Sequence, residues 1–288
     1  MGRTESSGQH ALDTLKSAAR NPEWQRFQYV QGDLGSVQST MELVNKLKTK
    51  NGDDATPQKE PFDFLVVSAG TWPDWSNLVS VDGFERSFGI AVVGRFLLYR
   101  NLHWLLKPQG GRVLNILASG AVVPYSLDRD MAMGKIHPTN LATAIINFNT
   151  AHEIMLVGLD ERDTTIQHEL HQVVRVSTHP GAVTSDLHRG QSLFVNIAVN
   201  LGTLLLGISE EECGLRQASI LISDKLTPGR QQYADPFGIG RTRSVSLQKQ
   251  VDLHLDWVWS FLLKLEQGQK GNNNAAFETG KVNDSLES

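Results

Sequence analysis

The stretch "FDFLVVSAG", residues Phe62–Gly70, decides the fold class. It begins as a nearly continuous apolar run, which is typical of a parallel strand buried on both faces. It ends on three small residues, which allow a ligand to come close to the backbone. Three other apolar stretches also end on small residues: "RFQYVQGDLGS" from Arg26, "RVLNILASG" from Arg112 and "VVRVSTHPGAV" from Val173.

Strand and helix signals alternate along the whole chain. Strands are predicted at 26–33, 62–70, 112–117 and 173–181, and helices at 11–20, 36–50, 83–106, 140–161, 209–223 and 250–267. Either Ser36 or Ser39 is the expected N-cap of the second helix, and Ser209 that of the fifth. The alternation predicts an α/β fold with a doubly wound parallel sheet. Ligands of such sheets bind beyond the carboxyl ends of the strands, so we expect a site at the small-residue ends.

Composition and charge exclude several classes of function. The chain has 288 residues, of which 40% are hydrophobic and 20% charged, as in an ordinary soluble protein. Its net charge of −4 argues against nucleic acid as a partner. A single cysteine, Cys213, excludes an internal disulfide and a cysteine-rich zinc site. The histidines of "HELH", His168 and His171, lack the spacing of a zinc-protease helix, so no metal is expected.

The two ends of the chain and its longest apolar run bear on location. The first twenty residues are polar, which makes the cytoplasm the default expectation. The apolar run 193–208 is interrupted by asparagine, threonine and glycine, so we interpret it as a cover for a hydrophobic pocket rather than a membrane span. We expect one domain, 1–266, followed by a disordered tail, 267–288.

The strand ends, taken in order, resemble the short-chain dehydrogenase/reductase family. "GDLGS" is similar to the turn in which an aspartate meets the adenine of the nucleotide, and "VSAG" is similar to the family's Asn-Asn-Ala-Gly motif. "HPGAVTSDL" resembles the segment that folds over the nicotinamide, and "SFGIAVVGRFLL" the interface helix. The Gly-Arg-Phe step of that helix resembles a divergent set of such proteins known mostly from filamentous fungi. The resemblance covers roughly residues 1 to 225 and implies a Rossmann-like fold.

The same resemblance implies NADP as the cofactor and a set of residues that bind it. Arg3 matches an arginine that often meets the 2′-phosphate of NADP. We also consider Arg95, which lies mid-helix among apolar residues, as a neutraliser of a phosphate or a substrate enolate, with a surface or interface salt bridge as the alternative. The predicted cofactor-binding residues are Arg3, Asp33, Leu34, Gly70, Arg95, Pro180, Gly181, Val183 and Ser185.

The catalytic positions depart from the family's pattern. Its chemistry uses a tyrosine and, four residues later, a lysine that lowers the tyrosine pKa. No tyrosine of this chain has a lysine at that spacing; one register places Phe148 and His152 on the two positions, and another places Ile145 and Asn149. Alanines, Ala118 and Ala91, replace the serine and the asparagine that complete the tetrad.

Two residues are candidates to replace the missing hydroxyls. Ser119 follows the strand 112–117 after one residue, Ala118, and Tyr125 lies six residues further along, with Arg129 four residues after it. A guanidinium at that spacing could support a tyrosinate, although Arg and Lys are not interchangeable. The alternative is that Pro124 and Tyr125 belong to a loop at the mouth of the pocket. His152 is a further candidate acid or base, with a structural histidine as the alternative.

The glycine-rich turn that holds a dinucleotide's pyrophosphate is absent from this sequence. The only Gly-x-Gly, at Gly238, follows no strand and is expected to be a loop. In the family, the first strand, this turn and the second strand would precede Arg3. We expect either that the natural chain starts further upstream, which we favour, or that the chain is a truncation that binds a dinucleotide poorly.

Three functions follow as hypotheses. The first is an NADP-linked oxidoreductase acting on a hydrophobic small molecule in fungal secondary metabolism. The second is a cofactor-independent isomerase, lyase or cyclase on the same fold. The third is a non-catalytic binding protein. Family members form homo-oligomers through helices equivalent to 83–106 and 140–160, so a homo-oligomer is also expected.

Overall fold

A computed structural model of the chain describes most of its residues. The described ranges are 4–21, 23–25, 27–50, 61–117, 125–169, 172–184, 197, 207–235, 240–241 and 243–282. The predicted site residues Arg3, Ser119 and Ser185, together with Ala118, lie outside them.

A five-stranded sheet organises the fold. Its strands are β1 (Phe64–Val67), β2 (Gln109–Ile116), β3 (Gln172–Thr178), β4 (Gln231–Ala234) and β5 (Gly240–Arg241). They lie side by side in chain order; β1 to β4 are parallel, and β5 is antiparallel to β4. One row of paired residues runs Val66, Leu114, Val176 and Gln232. The predicted parallel α/β fold is confirmed.

The helices follow the predicted alternation. In chain order they are α1 (Glu5–Ala18), α2 (Val37–Lys50), α3 (Arg86–Phe88), α4 (Arg95–Leu102), α5 (Arg129–Ala132), α6 (Leu141–Glu161), α7 (Thr164–Glu169), α8 (Glu210–Ile222) and α9 (Val245–Val282). A π-helical segment, Gly89–Gly94, joins α3 to α4, and a short 3-10 turn, His103–Leu105, ends the long helix that they form.

Helices cover the two faces of the sheet differently. On the first face, α6 buries almost its whole length among the long helix, the sheet and α9, with Phe96 and Trp259 in edge-to-face contact at 5.6 Å. On the second face, α8 packs Ile220 and Leu221 onto Leu114 of β2 and Val176 of β3. The larger core therefore lies on the first face.

The helix caps agree with the sequence signals. The amide of Ser39 donates to Oγ of Ser36 at 3.1 Å, which identifies Ser36 as the N-cap of α2. Ser209 caps α8 by accepting from the amide of Glu212 at 3.0 Å, as predicted. Asn140 caps α6 through the amide of Thr143 at 2.9 Å.

Two strand predictions need correction. No strand forms at 26–33, where the described backbone is irregular and Gln31 makes only an isolated bridge. A strand needs a neighbour for its backbone groups, and within the described residues β1 pairs with β2 alone. For the same reason β1 is an edge strand and is not buried on both faces: Phe64 is 49% and Val66 46% exposed.

The C-terminal part also differs from the expectation. The backbone of α9 continues as a helix to Val282, into the stretch predicted as a disordered tail. Once a helix has formed, each added residue gains a backbone hydrogen bond, so a polar composition alone does not end it. In the described part of the chain, no helix is both long and apolar enough to cross a membrane.

Candidate functional site

A cleft of about 360 Å³ opens at the carboxyl end of β1. Its mouth is lined by two turns, Gly32–Leu34 and Ser68–Thr71, and its inner wall by apolar side chains of α2, β1 and α4. Three predicted cofactor residues, Asp33, Leu34 and Gly70, thus line one cavity although they belong to separate strand ends in the sequence. The sequence analysis did not identify Ser68 and Thr71, two hydroxyl residues that also line the cleft. Their positions next to Ala69 and Gly70 in the chain could have indicated them.

Short-range hydrogen bonds hold the first of these turns in place. Oδ1 of Asp33 accepts from the amide of Gly35 at 2.9 Å, and the hydroxyl of Ser39 donates to the carbonyl of Asp33 at 2.7 Å. On the long helix, Gly94 lets Leu34 approach, since a Cβ at Gly94 would lie 2.9 Å from Cβ of Leu34. The glycine of the Gly-Arg-Phe step therefore positions one wall of the cleft.

Arg95 lies beneath the cleft and is fully buried. Its Nε donates to the carbonyl of Ala69 at 3.0 Å, and one terminal nitrogen donates to the same carbonyl at 2.6 Å and to that of Ile116 at 2.9 Å. Burial lowers the pKa of the guanidinium to about 10, so it remains charged at neutral pH. The expected surface or interface salt bridge is not what the structure shows. Arg95 joins the ends of β1 and β2, and a ligand contact by it stays a prediction.

The tetrad positions within the described residues hold no hydroxyl. Ala91 is 1% exposed and Phe148 4% exposed, and both belong to the main core. Of the two registers left open by the sequence, the one with Phe148 and His152 faces Arg95: the guanidinium lies 3.5 Å from Nε2 of His152. In that register the two positions hold a core phenylalanine and a buried histidine.

His152 is electrostatically suited to a neutral role. It is completely buried, and burial is the main reason why its pKa is lowered. The carboxylate of Glu153 opposes this effect, and the positive charge of Arg95 adds to it. Nδ1 lies 3.6 Å from Glu153 Oε1, too far for a hydrogen bond. The structural interpretation of His152 therefore agrees with its surroundings.

Tyr125 is half-buried and packs against the main core. Support of Tyr125 by Arg129 stays a prediction, and the described contacts of Arg129 are made with α9. Nε of Arg129 donates to Nδ1 of His254 at 3.2 Å, and the guanidinium stacks over Trp257. The guanidinium of Arg129 is therefore held by two side chains of α9, those of His254 and Trp257.

The chain turns after β3, which ends at Thr178, before the predicted end of the strand at residue 181. Gly181 has a φ of +85°, which a side chain would make unfavourable, and Pro180 precedes it. Val183 forms a bridge with Ile208, and Ile208 donates to the carbonyl of Ala182 at 2.9 Å. Pro180, Gly181 and Val183 are not among the described residues that line the cleft.

The described lining of the cleft fits one end of a dinucleotide better than its centre. The Asp33 carboxylate and small apolar residues suit an adenosine group. No lysine or arginine is among the described lining residues, so phosphates would need groups beyond them. Within the same described residues, no cluster of three metal-binding side chains occurs.

Comparison with known proteins supports the fold. No protein-family model and no curated protein matches the sequence. Among solved structures, a short-chain dehydrogenase/reductase from Burkholderia multivorans with bound NADP is 15% identical, with a TM-score of 0.54; the match covers 83% of this chain and 85% of that one. An uncharacterised protein from Mycobacterium paratuberculosis is 18% identical, with a TM-score of 0.56 over 92% and 83% of the two chains. This chain therefore has the fold of the short-chain dehydrogenase/reductases.

Proposed function

We propose that the chain is an oxidoreductase of the short-chain dehydrogenase/reductase type that uses NADP and acts on a hydrophobic small molecule. One observation carries the proposal: Asp33, Leu34 and Gly70, which motif resemblance assigns to the cofactor, converge on a single cleft. The resemblance of the Gly-Arg-Phe step to divergent fungal proteins supports a role in fungal secondary metabolism.

Each wall of the cleft has a proposed task. The Asp33 carboxylate accepts a hydrogen bond from the exocyclic amine of adenine, and Leu34 packs against the base. Ala69 and Gly70 allow the ribose to approach the backbone. Arg3 binds the 2′-phosphate. The segment containing Pro180, Gly181, Val183 and Ser185 folds over the nicotinamide. When bound, the cofactor supplies or accepts the hydride.

Proton transfer in this proposal falls to Ser119 and Tyr125. Phe148 has no ionisable group, and His152 is fully buried, so neither reaches a substrate in this structure. Ser119 orients the substrate carbonyl, and the Tyr125 phenol gives its proton to the carbonyl oxygen as that carbon accepts hydride. Arg95 acts as a positioning residue, because it joins the Ser68–Thr71 turn to the end of β2.

Titration with NADPH tests the proposal. We expect NADPH to quench tryptophan fluorescence of the wild-type chain and Asp33→Ala to weaken binding by about tenfold or more, the value of one charge-assisted hydrogen bond. Asp256→Ala is the matched control, since Asp256 forms an exposed ion pair with Arg162 outside the cleft. A wild-type chain that binds neither NADPH nor NADP⁺, also when extended at its N-terminus, would overturn the proposal.

The replaced tetrad favours a second candidate function, proton-transfer catalysis without a nucleotide. The contact between His152 and Arg95 and the core position of Phe148 leave no ordinary hydride-transfer centre among the described residues. An isomerase, lyase or cyclase needs only a shaped pocket and a placed proton donor. Turnover that persists without nucleotide and disappears in Tyr125→Phe would support this function, and turnover that strictly requires NADPH would exclude it.

A further inference from the structure

Two helices on the first face of the sheet are buried on every side. Residues 87–99 of the long helix and residues 147–159 of α6 are buried without interruption. Because a helical turn takes about four residues, stretches of this length point in every direction around their axes. Each helix meets the sheet on one side only, so another element must cover the side that faces away from the sheet.

That element is α9, as the two sides of α6 show. Leu156 lines a small cavity together with Val113 of β2 and Arg175 of β3, so this side of α6 faces the sheet. Gly158 lies two residues further along, about 200° around the helix. A Cβ at Gly158 would lie 2.6 Å from Cε3 of Trp259 in α9. Helix α9 therefore lies on the side of α6 that faces away from the sheet.

Aromatic side chains of α9 reach the long helix as well. The ring of Trp259 meets that of Phe96 edge-to-face, with 5.6 Å between their centroids. Phe261 meets Phe84 in the same manner at 5.4 Å and lies 6.1 Å from Phe88. One helix, α9, thus packs across both the long helix and α6.

The side of α9 that makes these contacts is apolar along its described length. Its buried members recur every three or four residues, the spacing of one helix side, and all belong to the main core. They are Leu247, Val251, Leu255, Val258 and Leu262. The contact is therefore a continuous apolar seam.

Two arginines attach α9 to the rest of the chain. Arg100 of α4 forms an ion pair with Asp163, and its Nε donates to Oε2 of Glu266 in α9 at 3.2 Å. The side chains of Asp163 and Glu266 are 1% and 4% exposed, so water does not replace these hydrogen bonds. Arg129 stacks over Trp257 at 5.3 Å. Buried charge pairing and cation–π contact thus add to the apolar seam.

We propose that α9 occupies, within one chain, the place of a partner subunit on the long helix and α6. The interface of an obligate homodimer resembles a domain core cut in half. Here α9 supplies the second half as part of the same polypeptide. The homo-oligomer expected through helices 83–106 and 140–160 therefore does not form through them, and self-association of this chain uses another surface. This inference does not require that the chain binds a nucleotide.

Cross-linking α6 to α9 tests the arrangement. Arg162, which follows α6, forms an ion pair with Asp256 of α9 at 2.8 Å, and both side chains are at least half exposed. In a Cys213→Ser background, the double variant Arg162→Cys/Asp256→Cys should be joined within one chain by a bis-maleimide that spans an arginine–aspartate pair. A mixture of the two single variants should give no more cross-linked dimer than a mixture in which Leu253→Cys replaces Asp256→Cys. Leu253 is the control because it is 56% exposed on α9.

Two results of this experiment would overturn the proposal. A cross-linked dimer specific to the mixture of Arg162→Cys and Asp256→Cys chains would show that α9 is exchanged between two copies. A double variant that is not joined within one chain would show that α9 does not lie on α6, as assembly through the two helices requires.

Sedimentation of a variant that uncovers the helices gives a second, independent result. Trp259→Ala removes the ring that packs on Gly158 and Phe96, so α9 should loosen and self-association should rise by at least about tenfold. Leu253→Ala is the matched control and should leave self-association unchanged, and circular dichroism checks that both variants fold. A folded Trp259→Ala chain that associates no more than Leu253→Ala would contradict the proposal. Neither experiment contains NADPH, so the outcome is separate from the cofactor titration.

Discussion

Strands β3 and β1 have very different surroundings. β1 is entirely apolar and β3 mixes three valines with polar residues, yet six of the seven residues of β3 are buried and only one of the four in β1 is. β3 lies between β2 and β4, with helices on both faces, whereas β1 has one described neighbour. An apolar run therefore indicates that a strand can be buried, and its neighbours decide whether it is.

Burial also differs between the two faces of β1. Phe64 and Val66 are about half exposed on one face, whereas Val67 on the other face is 4% exposed. Just beyond the strand, Arg95 joins β1 to β2 through the carbonyls of Ala69 and Ile116. The candidate site is thus built where this weakly packed strand is attached to its neighbour.

Removing this anchor should have the largest effect. Arg95→Ala removes a fully buried guanidinium together with its hydrogen bonds to two carbonyls and is expected to lower the free energy of unfolding by about 3–5 kcal/mol. Urea denaturation measures the loss. Arg162→Ala, which removes an exposed ion pair, should cost less than about 1 kcal/mol. Equal costs for the two variants would show that Arg95 does not hold the strand ends together.

The same valine truncation in β3 and β1 measures the contrast between the strands. Val176 is fully buried, so Val176→Ala should cost about 2–3 kcal/mol in transfer and cavity terms. Val66 is 46% exposed, so Val66→Ala should cost less than about 1 kcal/mol. Both are compared by urea denaturation at a protein concentration where sedimentation shows a monomer. Similar values would mean that β1 is covered in solution.

Two glycines of the long helix, one beside the cleft and one away from it, allow a matched pair of substitutions. A Cβ at Gly94 would meet Leu34 at 2.9 Å, so Gly94→Ala should cost about 1–3 kcal/mol and weaken NADPH binding. A Cβ at Gly89 would meet nothing within 4 Å, so Gly89→Ala should stabilise the helix by about 0.5–1 kcal/mol. Thermal unfolding and NADPH titration of both variants check this. If Gly94→Ala leaves NADPH binding unchanged, the 32–34 turn does not contribute to cofactor binding.

The smallest expected effect is the contribution of buried His152 to the pH dependence of stability. Burial lowers the pKa of His152 below its ordinary 6.5, so the folded chain keeps the imidazole neutral. Below pH 6.5 the imidazole becomes protonated in the unfolded chain but stays neutral in the folded chain. The free energy of unfolding therefore decreases as the pH is lowered, by about 1.4 kcal/mol per pH unit for this group. His152→Gln should reduce this slope. The pKa values of His179 and His254 are also lowered, so these two histidines account for the slope that remains in the variant. An unchanged slope in His152→Gln would contradict the assignment.

Local sequence patterns predicted most of the fold. Apolar runs marked β1, β2 and β3, and Ser209 marked the start of α8, because strand alternation and capping depend on neighbouring residues. The motif resemblance assigned Asp33, Leu34 and Gly70 to one site, and the structure places all three on one cleft, although the 26–33 segment forms no strand. The predicted strand at 26–33 failed for the opposite reason, since pairing depends on a neighbour that the local pattern does not specify.

The sequence by itself determined the parallel α/β architecture, the absence of a tyrosine with a lysine four residues after it, and the turns that line the cleft. Only the tertiary structure decided that Arg95 clamps two carbonyls, that Arg129 turns to α9 and that Phe64 and Val66 of β1 stay about half exposed. The physical reason is the sequence separation over which each kind of interaction acts. Backbone preferences act over a few residues, whereas the partner of a buried charge or an apolar face comes from any part of the chain.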